Sequence, residues 1–218
     1  MRFDREAGHQ IALGVAEVLM ARSAVKAATI GGSIRRGKSE VKDAEIIVEP
    51  TADFCYVTDR LLAAGTWRKA EYTTGNRWGE KYRGLEVNGM KVELFCATPE
   101  NWGYILWLRT GPGEANMLAM KHMAAKTGIR AIGGYIWGAD DWYAVRKTGN
   151  KIEWRSETKQ RLNVAMEIDM FALLGIRMLP PGERDEVAYH GLFKDAKPAD
   201  WRAYVDQVEA QPRQMGLW

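Results

Sequence analysis

Apolar positions along the chain switch between two periods, and the switches mark its elements. From residue 5 to 22, Ile11, Val15, Val18 and Leu19 recur on one side with Glu6 in the first turn, which predicts an amphipathic helix. A short apolar run at 27–30 then meets Gly31-Gly32-Ser33. A basic loop follows, and Asp43-Ala44-Glu45 leads into the β-branched run Ile46-Ile47-Val48 before Pro50. That order reads as strand, tight turn, loop and second strand. Phe54, Val57, Leu61 and Leu62 predict a helix over 52–64 stopped at Gly65. Residues 81–87 and 90–97 flank Asn88-Gly89, the signature of a hairpin with a type I′ turn.

Past Thr98-Pro99 the pattern changes. Trp102, Tyr104, Ile105, Leu106 and Trp107 predict a buried helix over 101–108. A break at 109–113 precedes a helix over 114–126. Residues 133–154 read as one small antiparallel sheet, with 134–137 and 142–146 flanking a turn that holds Asp140 and Asp141. A further turn at 148–150 leads into 151–154. Leu162, Ala165, Ile168, Phe171, Ala172 and Leu174 predict a helix over 158–174, ended by Gly175, and a last helix covers about 198–210.

The stretch 31–45 carries the most chemistry. In a strand, residues 43 and 45 share a face, so two carboxylates stand side by side and repel each other. Magnesium, which takes carboxylate and phosphate oxygens, is the natural counter-ion. The glycines allow backbone N–H groups to approach a polyphosphate, and Arg35, Arg36 and Lys38 add positive charge. A solvated surface loop is the competing reading of the same residues. In the second arm of the hairpin, alternation sends Val92, Leu94 and Cys96 to one face and Lys91, Glu93 and Phe95 to the other, leaving Glu93 on the polar side. Trp67, Trp78, Arg68, Lys69 and Arg77 interleave aromatics with cations. That mixture holds nucleic acid in some proteins and forms a local cluster in most.

Composition narrows the setting. The chain has 218 residues, 46% hydrophobic and 27% charged, enough for one domain or two small ones around a real core. No apolar run reaches the length of a membrane span, and the polar start does not resemble a signal peptide. Cys55 and Cys96 have no CxxC partner, and the three histidines complete no zinc pattern. Free buried thiols in a reducing cytoplasm are therefore expected. A net charge of +3 permits nucleic-acid binding without demanding it.

Gly32-Ser33, Arg36-Gly37 and a carboxylate ten residues after the serine resemble the nucleotidyltransferase signature of the X-family DNA polymerases, the DNA polymerase beta group. Lys91-Val92-Glu93-Leu94 is similar to the strand that carries the family's third carboxylate, and Thr110-Gly111 with Asn116 keeps a further family spacing. Glu167-x-Asp169-x-Phe171, Leu174-Gly175 and Pro180-Pro181-x-x-Arg184 resemble its C-terminal signature, and His122 falls at a familiar place. The resemblance runs in order from residue 5 to about 187. It implies an α+β fold: a polymerase-beta-like palm with a mixed sheet over 1–97, and a smaller α+β nucleotide-binding subdomain over 98–218. The family's lyase and helix-hairpin-helix domains have no counterpart in these residues.

What the resemblance implies chemically is addition of a dNMP from a dNTP to a primer 3′-OH, in short-gap filling during repair or replication. Asp43, Glu45 and Glu93 would hold two Mg²⁺ ions (Mn²⁺ substituting), with Glu93 accepting the hydroxyl proton. Gly32, Ser33, Arg36 and Arg5 would bind the triphosphate. Arg109, Thr110, Gly111 and Asn116 would bind the nucleotide's sugar and base, and Lys91 and Lys121 the DNA. The implied partners are gapped or primer-template DNA and dNTP, with no membrane and a monomeric state. Three departures stand out. Two of the family's three aspartates are glutamates here, Leu108-Arg109 replaces an aromatic pair, and Met120 stands in place of a template-contacting arginine. Two other readings share the Gly-Ser and Asp-x-Glu core: a transferase acting on a small molecule or RNA, and a catalytically degenerate protein that binds DNA or nucleotide.

Overall fold

The computed structural model describes residues 1–73, 77–148, 151–197 and 199–210. The chain opens with β1 (Phe3–Asp4) and α1 (Arg5–Ala21). The Asp4 side chain caps α1, accepting from the N–H of Glu6 at 2.8 Å and of Ala7 at 3.3 Å. β2 (Val25–Ile30) runs into a single helical turn, α2 (Gly32–Arg35), and then β3 (Glu40–Val41), which pairs with β1. β4 (Asp43–Pro50), α3 (Phe54–Ala63), β5 (Arg68–Lys69), β6 (Tyr82–Val87) and β7 (Met90–Cys96) follow. Gly65 ends α3 in the left-handed region at φ +70°, and the β6–β7 turn is type I′ in character, with Asn88 at φ +50° and Gly89 at +76°.

Five strands form one mixed sheet in the order β2-β4-β7-β6-β5, parallel only between β4 and β7. Its lower face is apolar: Ala44, Ile46, Val48, Val92 and Leu94 are fully buried in one core with Ala12, Val15 and Leu19 of α1 and Phe54 and Leu61 of α3. On the upper face, Ile47 and Phe95 join a second core that contains the rest of the protein. The fold is therefore α+β with a mixed sheet, as expected.

Beyond the sheet follow α4 (Trp102–Thr110), α5 (Gly113–Lys126), β8 (Ile129–Ile132), β9 (Tyr135–Gly138), β10 (Tyr143–Thr148), β11 (Lys151–Arg155), β12 (Gln160–Leu162), α6 (Glu167–Leu174), α7 (Glu186–Phe193) and α8 (Trp201–Ala210). The five helices with β8, β9 and β12 build the second core, whereas β10 is exposed throughout. α4 and α6 approach closely at Gly103, where a Cβ would lie 2.1 Å from the Met166 backbone. Trp107, fully buried, donates its indole N–H to Tyr189 Oη at 3.1 Å, which ties α4 to α7.

Three local expectations change. Residues 158–174 are not one helix: Gln160–Leu162 is a strand paired with β9, and the helix begins only at Glu167. Leu162 and Val164 are both buried in the second core, a period of two that overlapped the helical pattern. Residues 133–154 are not one sheet either. β9 pairs with β8 and β12, while β10 pairs with β11 as a separate ribbon. Gly133 and Gly134, at φ +64° and +88°, close the β8–β9 hairpin that the apolar pattern did not suggest. The expected turn at Gly149-Asn150 and the Pro198 start of the last helix lie outside the described residues. Among the described residues no helix is long and apolar enough to cross a membrane. Cys55 and Cys96 are free and half-buried, and burial pushes the Cys96 thiol up to about 12.

Candidate functional site

β4 and β7 run in register, Asp43 opposite Lys91 and Glu45 opposite Glu93. Partners across a ladder share a face, and so do residues two apart in a strand. Asp43, Glu45 and Glu93 therefore stand together on the upper face, opposite a lower face that is apolar at Ala44, Ile46, Val92 and Leu94 and carries the buried Arg83 beside Leu94. Burial pushes the Glu45 carboxyl up from 4.5 to about 7. The Arg109 guanidinium opposes that shift, and the charges of Asp43 and Glu93 add to it. Asp43 is raised by burial and by Glu93, against the pull of Lys42, Lys91 and Arg36.

Gly32 faces this trio. It sits at φ +63°, and a Cβ there would lie 2.4 Å from Glu45 Oε2, so the carboxylate rests directly on the glycine backbone. Two arginines tie the loop to the C-terminal end of α4: Arg35 Nη1 donates to Thr110 Oγ1 at 2.8 Å, and Arg36 Nη1 to the Thr110 carbonyl at 2.6 Å. Burial lowers the Arg36 pKa, while Glu45 and Asp43 work against that shift. Arg109 lies 3.8 Å over the Phe95 ring, with its Nε buried and without a hydrogen-bond partner.

Two cavities meet at Arg109. The smaller, about 550 Å³, is lined by Arg36, Glu45, Arg109, Gly111, Asn116 and Met120 among others. The larger, about 1080 Å³, lies on the other side and includes Arg77, Lys81, Tyr82, Phe95, Asn101 and Tyr135.

Of the residues singled out in the sequence, Arg36, Arg109, Gly111 and Asn116 line the smaller cavity with Glu45. Asn116 is turned partly into the fold: its Nδ2 donates to the Leu108 carbonyl at 2.7 Å and the Gly111 carbonyl at 3.3 Å, while its buried Oδ1 has no partner. Thr110 is fully buried and serves as an acceptor for Arg35. Ser33 is half-buried in α2. Arg5 is exposed, its Nη1 3.4 Å from where a Cβ on Gly37 would lie, and is not among the residues lining the cavity. Lys91 Nζ donates to the Glu71 carbonyl at 2.5 Å, and Lys121 is exposed on α5. His122 stacks on Phe193, with centroids 3.9 Å apart. Trp67 belongs to the first core, and the Trp78 indole donates to Asp59 at 3.1 Å. Asp140 pairs with Arg202 and Trp201, whereas Asp141 accepts from Ser156 and Thr158, so the adjacent acids serve different neighbours.

Tyr72 and Tyr82, which the sequence did not flag, and Arg77, which it flagged only for a mixture of aromatics and cations, complete the site. Glu93 Oε1 accepts from Tyr72 Oη at 2.9 Å, from Tyr82 Oη in a short bond and from Arg77 Nη1 at 3.3 Å. One signal was readable in advance: the Asn88-Gly89 turn sets the register that places Gly84 opposite Glu93, and Tyr72 fills the space a Gly84 side chain would take.

With Glu93 held by these donors and Glu45 lying on Gly32, the trio is not gathered as a ligand set. Among the described residues, no group of three or more His, Cys, Asp or Glu side chains is placed to hold a metal ion. The donor chemistry nonetheless suits a hard divalent cation, since three carboxylates share a face and two of them are raised by burial and mutual repulsion. No protein-family model matches the sequence, and no curated protein matches it.

Proposed function

We propose that this protein is a metal-dependent nucleotidyltransferase that adds a dNMP from a dNTP to a DNA 3′-OH, and that residues 1–97 act as its palm. The observation that carries this reading is that Asp43, Glu45 and Glu93 share one sheet face and that Glu45 also lines a cavity walled by Arg36, Arg109 and Asn116. Asp43, Glu45 and Glu93 would be the residues that hold Mg²⁺. When bound, the ions lower the pKa of the 3′-OH and stabilise the leaving pyrophosphate. The smaller cavity takes the nucleotide. Arg36 and Arg109 face its phosphates with fixed positive charge, and Gly111 allows close approach to its sugar. Glu93, whose Oε1 accepts from Arg77 and Tyr82 of the larger cleft, would keep Oε2 for a cation, and the proton of the acceptor hydroxyl would pass to water.

The test is extension of a one-nucleotide-gapped DNA with Mg²⁺ or Mn²⁺ and each dNTP, beside D43A. Template-matched incorporation that D43A abolishes, with its circular dichroism unchanged, is expected. Incorporation retained in D43A removes the metal site from the mechanism.

A second reading, a protein that binds DNA or nucleotide without catalysis, is favoured by the carboxylates not being gathered around a common point. Salt-sensitive DNA binding with no incorporation under either metal would identify it.

A further inference from the structure

Glu93 is set apart from the other two carboxylates by what surrounds it. All three of its hydrogen-bond donors reach the same oxygen: Tyr72 Oη, Tyr82 Oη and Arg77 Nη1 all donate to Oε1. Among the described residues no donor reaches Oε2. The two phenol oxygens are 3.0 Å apart, so they clasp Oε1 as a pair.

The clasp is itself held in place. The Tyr72 ring lies under Arg77 at 4.5 Å and beside Lys91 Nζ at 4.8 Å, and its hydroxyl occupies the space above Gly84, 2.3 Å from where a Cβ would be. The Tyr82 ring packs on Phe95 with centroids 4.9 Å apart, and Phe95 is buried.

A glutamate has one more rotatable bond than an aspartate, and a ligand displaced by ~1 Å can lower a rate ~100-fold. Fixing one oxygen of a carboxylate by outer hydrogen bonds removes that freedom and aims the other oxygen. We propose that Tyr72 and Tyr82 are positioning residues that let a glutamate serve as the third cation ligand, holding Oε1 so that Oε2 is presented to the divalent ion. The inference rests on the metal-dependent reading above.

The test is Mn²⁺ binding to the full chain, followed by calorimetry and by paramagnetic resonance of the free ion, with the metal dependence of gap filling measured in parallel. Y72F/Y82F should keep the wild-type circular dichroism and weaken Mn²⁺ binding about 10–100-fold, the range for loss of outer-shell support. Gap filling should be restored when the metal concentration is raised. In E93D the shorter side chain withdraws from the phenols, so adding Y72F/Y82F to E93D should change Mn²⁺ affinity no further. Wild-type affinity in Y72F/Y82F, or an equal loss in the E93D background, overturns the proposal while leaving the metal site standing. Wild-type protein that binds no Mn²⁺ overturns both.

Discussion

Arg35 and Glu167, 132 residues apart in sequence, form a bidentate ion pair, with Nη1 2.7 Å from Oε1 and Nη2 2.8 Å from Oε2. Arg184 completes the arrangement from the other side: its fully buried guanidinium donates to Glu167 Oε1 at 2.5 Å, and its Nε to the Leu179 carbonyl at 2.9 Å. Burial pushes the Glu167 carboxyl up, but the hydrogen bonds and charges of Arg184 and Arg35 outweigh it and hold it below the ordinary glutamate value. The arginine that follows Gly-Gly-Ser-Ile is thus joined to α6, while Arg36 beside it reaches the end of α4. The loop after β2 is fastened to the second core by an ion pair as well as by apolar packing.

Breaking this link should cost unequal amounts. E167A leaves Arg184 buried without its acid and should destabilise by about 3–5 kcal/mol. R35A leaves the Glu167–Arg184 pair intact, and Arg35 is one-quarter exposed, so it should cost about 1–2 kcal/mol. Urea midpoints check the order; R35A as damaging as E167A would mean that the loop anchor, not the buried arginine, dominates.

The raised Glu45 makes stability depend on pH when no divalent ion is present. Its folded value of about 7 lies above the unfolded value of 4.5, so the folded state keeps a proton the unfolded state has lost. The contribution is full below about 4.5 and is lost as pH rises to about 7, on the order of 3 kcal/mol in all. In EDTA, melting temperature should fall from pH 5 to 8 more steeply in wild type than in E45Q. Mg²⁺, which favours the ionised form, should flatten the wild-type curve. Parallel curves for the two proteins would show that Glu45 titrates normally.

Gly32 should tolerate no side chain. Alanine at φ +63° costs about 1–2 kcal/mol, and its Cβ would overlap Glu45 Oε2. G32A should fold with a lowered melting temperature and lose metal-dependent incorporation. Full activity in G32A would mean that the Glu45 carboxylate is free to turn elsewhere during catalysis.

Asn116 is a donor to two backbone carbonyls at the α4–α5 break, so its amide matters more than its size. N116A leaves those carbonyls without a donor, at about 1–3 kcal/mol. N116D, which sets a carboxylate oxygen against them, should cost more. Denaturant midpoints in the reverse order would show that the Asn116 shape, rather than its N–H groups, holds the turn.

Much of residues 1–97 was legible because its signals are local. Period-two alternation placed Val92 and Leu94 on one face of β7 and Glu93 on the other, but that second face is covered by the second core and leaves the Glu93 side chain only 12% exposed. Asn88-Gly89 implied a turn that positive φ at both residues bears out, and Gly65 marked the end of α3. The second half was read less well. Leu162 fits both a strand and a helix, and it is the pairing of Leu162 with Ile136 that selects the strand. The resemblance singled out Lys91 and Lys121, but a position in a motif does not say where a long side chain goes; Lys91 turns to the Glu71 carbonyl.

The sequence by itself determined which residues share a face: Asp43 with Glu45 on one strand, and Glu93 opposite Val92 and Leu94 on another. Backbone period and turn chemistry act over a few residues, so they can be read in order along the chain. Only the tertiary structure decided that β4 and β7 lie side by side and in parallel, which sets Glu45 beside Glu93. It also decided that Arg35 finds Glu167, and that Tyr72 and Tyr82 close on one oxygen of Glu93. Those contacts join residues far apart in sequence. They exist because burying two apolar cores against opposite faces of one sheet leaves the charged groups on the upper face few other partners.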